Sequence, residues 1–187
     1  VVGITDIVSN KEFYNLVGDI GGTNARFAIV SVDSSELMSI KTLHCEKFET
    51  IQQAIQFYLS SIEDIQISSA CIATAGTVHL DSFKPSNNDW VINKSDVSSA
   101  LNNVQVSWIN DFNAQALATT TLSDNNVVTI KEGIEQPDRL RLAIGPGTGL
   151  GVCGLIRTSN GWVSVPTQSG HSDLAPNTSL EIEILTL

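Results

Sequence analysis

The sequence is short of positive charge: 10 Lys and Arg stand against 20 Asp and Glu, a formal charge of −10. A face that binds phosphate backbones or anionic lipid needs clustered Lys and Arg. The few bases here are scattered, which argues against nucleic acid and membrane surfaces as partners. Cysteine is scarce as well. Cys45, Cys71 and Cys153 form no CxxC spacing and leave an odd count, which reads as reduced, mostly buried thiols in a cytosolic protein. No apolar run approaches the roughly 20 residues that span a bilayer. Residues Val1 to Asn10 lack the basic n-region and long apolar stretch of a secretory signal. Charged residues make up only 16%, below the roughly 25% of an average soluble chain. What the sequence does have is an apolar fraction of 42% over 187 residues. That suggests one to two domains, large enough to bury roughly 70% of the surface exposed on unfolding.

Hydrophobic periodicity gives an order of elements. Leu16–Ile20 reads as a short strand entering the glycine turn Gly21-Gly22-Thr23-Asn24, and Arg26–Val32 as a second strand. A third strand is expected between Met38 and Phe48. Thr50-Ile51-Gln52-Gln53 fits the S/T-x-x-E/Q capping pattern. Behind it Ile51, Ala54, Ile55, Tyr58, Leu59 and Ile62 recur at helical spacing. Ile67–Thr74 is apolar and β-branched, a buried strand. A polar loop with Pro85 follows, then a weak helix near Ser95–Leu101 and a strand at Val104–Ile109. The order β-β-β-α-β-α-β implies an α/β class with a mixed sheet and helices on its faces. Beyond Asp111 a helix carrying Ala114, Leu117 and Ala118 is expected, then strands at Leu140–Ile144, Gly151–Ile156 and Trp162–Val165. Thr178-Ser179-Leu180-Glu181 is a second capping pattern, and Leu180, Ile184 and Leu187 begin an apolar stripe. A helix that stops after about two turns, in a chain starting at Val1, reads as part of a longer protein.

Four segments carry chemistry. In Gly18-Asp19-Ile20-Gly21-Gly22-Thr23-Asn24 the paired glycines can take positive φ and let backbone N–H groups approach a ligand. Asp19, at a strand end, suits a hydrated Mg²⁺; the competing reading is an ordinary hairpin. The P-loop pattern GxxxxGK[ST] is absent. Gly145-Pro146-Gly147-Thr148-Gly149-Leu150-Gly151 is a second side-chain-poor loop able to wrap phosphate oxygens. Gly149, Gly151 and Gly154 match GxGxxG, but a strand follows instead of a helix, so the dinucleotide reading is rejected. Two glycine turns, each leaving a strand, suit an oligophosphate. Asn110-Asp111 falls between a strand end and a helix start, where α/β folds place their sites. Asp111 is either a general base for a substrate hydroxyl or a helix cap. Finally, Gln168-Ser169-Gly170-His171 sets an imidazole beside a turn, although a lone His is usually structural.

Taken together, LVGDIGGTNAR, the CIA segment at Cys71, Asn87 with Trp90, INDFNAQALA, GPGTGLG and GHSDLAPN resemble the bacterial hexokinase-type glucokinases of the actin/hexokinase/Hsp70 ATPase superfamily. The resemblance runs from about Leu16 to the chain end. It implies a ribonuclease H-like (actin-like ATPase) fold: a segment 1–10, a small domain over 11–110, and over 111–187 the incomplete start of a large sugar-binding α/β domain. It implies transfer of phosphate from MgATP to the 6-hydroxyl of glucose, with Asp111 as the base; the alternatives are a kinase for another hexose or an amino sugar, or a degenerate, non-catalytic sugar-binding relative. By the same resemblance Gly18, Asp19, Ile20, Gly21, Gly22, Thr23 and Asn24, with Thr148 and Gly149, serve ATP, Mg²⁺ being held through water near Asp19. Asn87, Asn110, Gly147, Gln168 and His171 serve the sugar. The family is often dimeric, and residues 1–187 alone are expected to be inactive. Three departures matter: Gln168 stands where the family usually has Glu, Ser169 where it has Gly, and Thr77 where it has Pro. Replacing a carboxylate by an amide would cost roughly 1–2 kcal/mol of sugar affinity or shift the sugar preferred. The 16 residues after His171 hold no cysteine, which disfavours the zinc-containing ROK branch.

Overall fold

The first strands, Glu12–Ile20 (β1), Asn24–Ser31 (β2) and Leu37–His44 (β3), are rich in the aliphatic, β-branched and aromatic residues that fit a half-buried pleated surface. A computed structural model of the chain describes residues 12–186 except 35, 77, 87, 135, 137, 147, 148, 168 and 174, and not the side chain of His171. Helix α1 (Ile51–Leu59) leads to β4 (Ile65–Thr74), followed by the short β5 (Ser82–Phe83) and β6 (Ile92–Asn93), α2 (Lys94–Ala100) and β7 (Gln105–Asn110). Helix α3 (Asp111–Ala118) then leads to β8 (Arg141–Pro146), β9 (Leu150–Thr158), β10 (Gly161–Pro166) and α4 (Ser179–Leu185). Two compact units divide the chain between Ala114 and Gln115.

In the first unit five strands form one mixed sheet in the order β3-β2-β1-β4-β7. β1, β2 and β3 are antiparallel neighbours, while β4 and β7 run parallel to β1 and to each other. Parallel neighbours need a crossover, and α1 and α2 supply them. Both helices start where the side chains allow it. Thr50 accepts from the Gln53 amide at 3.3 Å, and Asn93 accepts from the Ser95 amide at 3.1 Å. The box expected at Thr50 is only half made, because the Gln53 carboxamide oxygen takes the Glu49 amide at 3.0 Å.

The helices cover one face of this sheet. Ile51, Ala54, Ile55 and Tyr58 of α1 and Val97 of α2 are buried against Leu16, Ile20, Phe27, Ala70 and Ile72. The Tyr58 ring lies 5.5 Å from that of Phe27, and its hydroxyl donates to the Ser39 carbonyl at 3.0 Å. Burial pushes the Tyr58 phenol up to about 12, so it stays a neutral donor and ties the edge strand β3 to the core. The loop expected around Pro85 contains the β5–β6 pair, whose Phe83 packs edge-on to Trp108 at 5.5 Å. Two residues per strand are too few to show a period.

In the second unit β8, β9 and β10 make an antiparallel meander. Helix α4 begins with a complete capping box between Thr178 and Glu181. The backbone amides of Asn177 and Thr178 donate to the Glu181 carboxylate and hold it below the usual range. A depressed native pKa means that this cap is fully formed above the unfolded value of about 4.3. It is lost as pH falls through the native value. The Asn177 and Thr178 amide shifts should therefore stay flat from pH 7 to about 5 and move only in more acid solution.

Candidate active site

The parallel strands end level with one another. Ile20 of β1 lies beside Thr74 of β4, and Thr74 beside Asn110 of β7. With strands about 4.8 Å apart, the start of the Gly21–Thr23 turn and Asn110 are held about 10 Å apart at one sheet end. Successive side chains alternate faces, so Asp19 points away from the helix-packed face that Gly18 and Ile20 share. The Thr74 hydroxyl, fully buried between them, has no partner among the described residues.

The β1–β2 connection is a tight hairpin in which the Gly21, Thr23 and Asn24 carbonyls are engaged. The Gly21 amide donates to the Asn24 carbonyl at 2.9 Å, and the Cys45 amide to the Thr23 carbonyl at 2.8 Å. The Gly21 carbonyl accepts from the Asn88 carboxamide at 3.0 Å and faces the Cys45 thiol at 3.7 Å. No described group accepts from the exposed Gly22 and Thr23 amides. A loop with open backbone donors offers N–H groups to an anion. The glycines serve this for a reason other than the one expected. Positive φ at described glycines falls at Gly76 and Gly161, not in this turn. What Gly21 requires is room: an added Cβ would lie 3.3 Å from the Asn24 carbonyl oxygen. Asp19 is paired across the hairpin with Arg26, carboxylate to guanidinium at 3.0 Å. Its side chain remains half exposed, so it can still accept hydrogen bonds from the water shell of a cation, the outer-sphere arrangement that Mg²⁺ favours.

At the end of β7 the two readings of Asp111 separate. The helix cap is Asn110, whose carboxamide oxygen accepts from the amides of Phe112 at 3.0 Å and Asn113 at 3.3 Å. The Asn110 NH₂ has no partner among the described residues and can donate to a ligand hydroxyl. Asp111 is the first helical residue. One of its oxygens shares the Phe112 amide at 2.8 Å, and the other has no described partner. Half-buried beside a helix N-terminus, this carboxylate is held in place yet keeps a lone pair for a substrate proton.

In the second unit the glycine loop is the tip of the β8–β9 hairpin: Pro146 pairs with Leu150 and Gly145 with Gly151. Gly149 has open space around it. Gly170, in the short 3-10 turn Ser169–His171, sits directly on the Leu150 backbone carbonyl, where any Cβ would collide. This brings the Gly170-His171 turn against the base of the glycine loop. Asn87, Gly147, Thr148 and Gln168 lie outside the described residues, as does the His171 side chain.

A family model described as Glucokinase matches residues 16–187. The chain belongs to the glucokinase family. It is 42% identical over 178 residues to a glucokinase of Hahella chejuensis, covering 95% of this chain and 55% of that protein. Among solved structures, a glucokinase from an Antarctic psychrotroph superposes with a TM-score of 0.82 at 33% identity, over 92% of this chain and 55% of that one. A ROK family glucokinase from Streptomyces griseus, in complex with glucose and AMPPNP, shares the fold at a TM-score of 0.55 and 23% identity, covering 76% and 44%. The chain spans about half the length of the curated relatives it matches.

Sequence reasoning missed two residues that the structure ties to the candidate glycine turn. Arg26 was visible only as a letter in a motif; its pairing with Asp19 follows from the hairpin register, in which the two are directly opposite. Asn88 stands in a polar run with nothing to distinguish it, yet it is 8% exposed and bonded at both ends of its carboxamide. The only available signal was its place between Pro85 and the large apolar Trp90.

Proposed function

We propose that the complete protein is a glucokinase, transferring the γ-phosphoryl group of MgATP to the 6-hydroxyl of glucose and so supplying glucose 6-phosphate to glycolysis. The observation that carries this reading is Asp111, a carboxylate fixed at the end of β7 with one oxygen uncommitted, in a chain of the glucokinase family. In the proposed reaction Asp111 takes the proton of the 6-hydroxyl as that oxygen forms a bond to the γ-phosphorus. The bond to the β,γ-bridging oxygen breaks, and ADP leaves. The Gly22 and Thr23 amides hold terminal phosphate oxygens, so the protein contributes chiefly positioning and electrostatics. Mg²⁺, held through water near Asp19, would offset phosphate charge. The Asn110 NH₂ donates to a sugar hydroxyl, and the reading assigns Asn87, Gly147, Gln168 and His171 to the sugar and Thr148 and Gly149 to the nucleotide.

The sheet order β3-β2-β1-β4-β7 supports a ribonuclease H-like, actin-like ATPase fold and membership of the actin/hexokinase/Hsp70 superfamily. On this reading residues 11–110 form the small domain and 111–187 begin the sugar-binding one. A cytoplasmic location fits the cysteine usage, and a homodimer follows only from the family resemblance; among the described residues no helix is long and apolar enough to cross a membrane. Gln168, in place of the family's usual Glu, favours a second reading in which another hexose or an amino sugar is preferred. A coupled assay of the complete protein with ATP and a panel of hexoses decides. ADP formation fastest with glucose is expected. Turnover confined to another sugar would support the second reading, and sugar binding with no ADP formed would exclude both.

A further inference from the structure

Asn88 lies outside the four motifs, and no step of the proposed reaction uses it. It is nearly buried, at 8% exposure, and such a polar side chain costs stability unless it is hydrogen-bonded. Both ends of its carboxamide are engaged, each by a different segment. Its oxygen accepts from the Trp90 amide at 2.9 Å, within its own loop. Its NH₂ donates to the Gly21 carbonyl at 3.0 Å, 67 residues earlier in the chain. The loop is itself anchored to the core: Trp90 is 5% exposed, and its indole N–H donates to the Phe48 carbonyl at 3.0 Å. The Cys45 thiol faces the same Gly21 carbonyl at 3.7 Å. A peptide plane is rigid, so fixing the Gly21 carbonyl oxygen also fixes the direction of the Gly22 N–H at the other end of the same plane.

We propose that Asn88 is a positioning residue for nucleotide binding: by holding the Gly21 carbonyl it keeps the Gly22 amide aimed at the terminal phosphates. This rests on the glucokinase reading above. The side chain touches neither substrate, and its effect is confined to the phosphate half of the site. A residue that only stabilised its loop would lower stability and leave the affinity for phosphate untouched.

Two substitutions in the complete protein separate those roles. Asn88→Asp keeps the oxygen that accepts from Trp90 but replaces the donor to Gly21 by a carboxylate oxygen, which repels the carbonyl. Asn88→Ala removes both bonds. Calorimetric titration with Mg²⁺ and AMPPNP, glucose titration, steady-state kinetics and thermal unfolding are measured on each. The expected result for Asn88→Asp is an AMPPNP affinity and a KM for ATP weakened about tenfold, the size of one lost hydrogen bond to a positioned group. Its KM for glucose stays within about twofold of the native value, because Asn110 and Asp111 are untouched. Asn88→Ala should weaken the nucleotide less than Asn88→Asp, since it removes the donor without adding a repelling charge. Nucleotide affinity of Asn88→Asp equal to that of the native protein, with glucose phosphorylation intact, would overturn the positioning role and leave the glucokinase reading standing. Equal loss of both substrates' affinities together with a lower melting temperature would overturn it too, as the mark of a general weakening of the fold and not of a misdirected Gly22 amide. Native protein that binds neither AMPPNP nor glucose would overturn the glucokinase reading itself, and the role of Asn88 with it.

Discussion

Replacing Asp111 by alanine in the complete protein is expected to slow phosphoryl transfer about 10²–10⁴-fold, the usual contribution of a positioned general base. Sugar binding should survive in part. The structure separates this effect from damage to the fold, because Asn110 and not Asp111 caps helix α3. Losing a carboxylate from the first turn of a helix removes a favourable charge–dipole interaction worth at most about 1 kcal/mol. Thermal unfolding of Asp111→Ala should therefore stay close to that of the native protein. Asp111→Asn is the stricter variant, since it keeps an oxygen for the Phe112 amide but cannot take a proton. If either variant turned over at a near-native rate, Asp111 would not be the base. A large drop in melting temperature would return it to the role of structural cap.

The largest stability effect is expected at Phe27. This residue is 1% exposed, stacks against Tyr58 and fills the space left open by Gly18, where a Cβ would come within 3.2 Å of its ring. Ile72 of β4 approaches the same point at 3.5 Å. Phe27 thus joins β1, β2, β4 and α1 at one contact. Phe27→Ala should cost about 3–5 kcal/mol, a large fraction of the 5–15 kcal/mol typical of a folded domain. The test is chemical denaturation of the complete protein, where the transition midpoint should fall sharply. Phe27→Leu, which retains most of the apolar volume, should recover most of the loss. A loss below about 1 kcal/mol for Phe27→Ala would mean that the β1–β4 junction is not the load-carrying part of the core. The same contact bears on function, because the glycine turn is the connection between β1 and β2, and its geometry depends on those strands staying in register.

Much of the fold was legible because its elements are strongly patterned. The stripe Ile51, Ala54, Ile55, Tyr58 matches the buried face of α1, and the apolar run ending at Thr74 is β4. The expected second strand ran to Val32, but β2 ends at Ser31 and Val32 is half exposed in the turn; a lone valine there has no buried neighbour to hold it in the sheet. The first strand begins earlier than the apolar run at Leu16 suggested. Glu12 to Asn15 pair with β4 by backbone hydrogen bonds that are indifferent to side-chain polarity. The site was partly legible for a related reason. Asp19, Asn110 and Asp111 lie at strand ends, positions that element boundaries alone locate.

From the sequence alone came the order of the longer elements, the glycine turns and the placement of Asp19 and Asp111, since periodicity and residue type are local properties; the short β5–β6 pair did not. Tertiary structure decided the rest. The parallel register of β1, β4 and β7 brings Ile20, Thr74 and Asn110 level. Helix capping assigns the cap to Asn110 and frees Asp111. A bond across 67 residues sets Asn88 behind the Gly21–Thr23 turn. Each depends on the meeting of segments far apart in the chain, and no local pattern encodes which backbone carbonyl a buried amide will find.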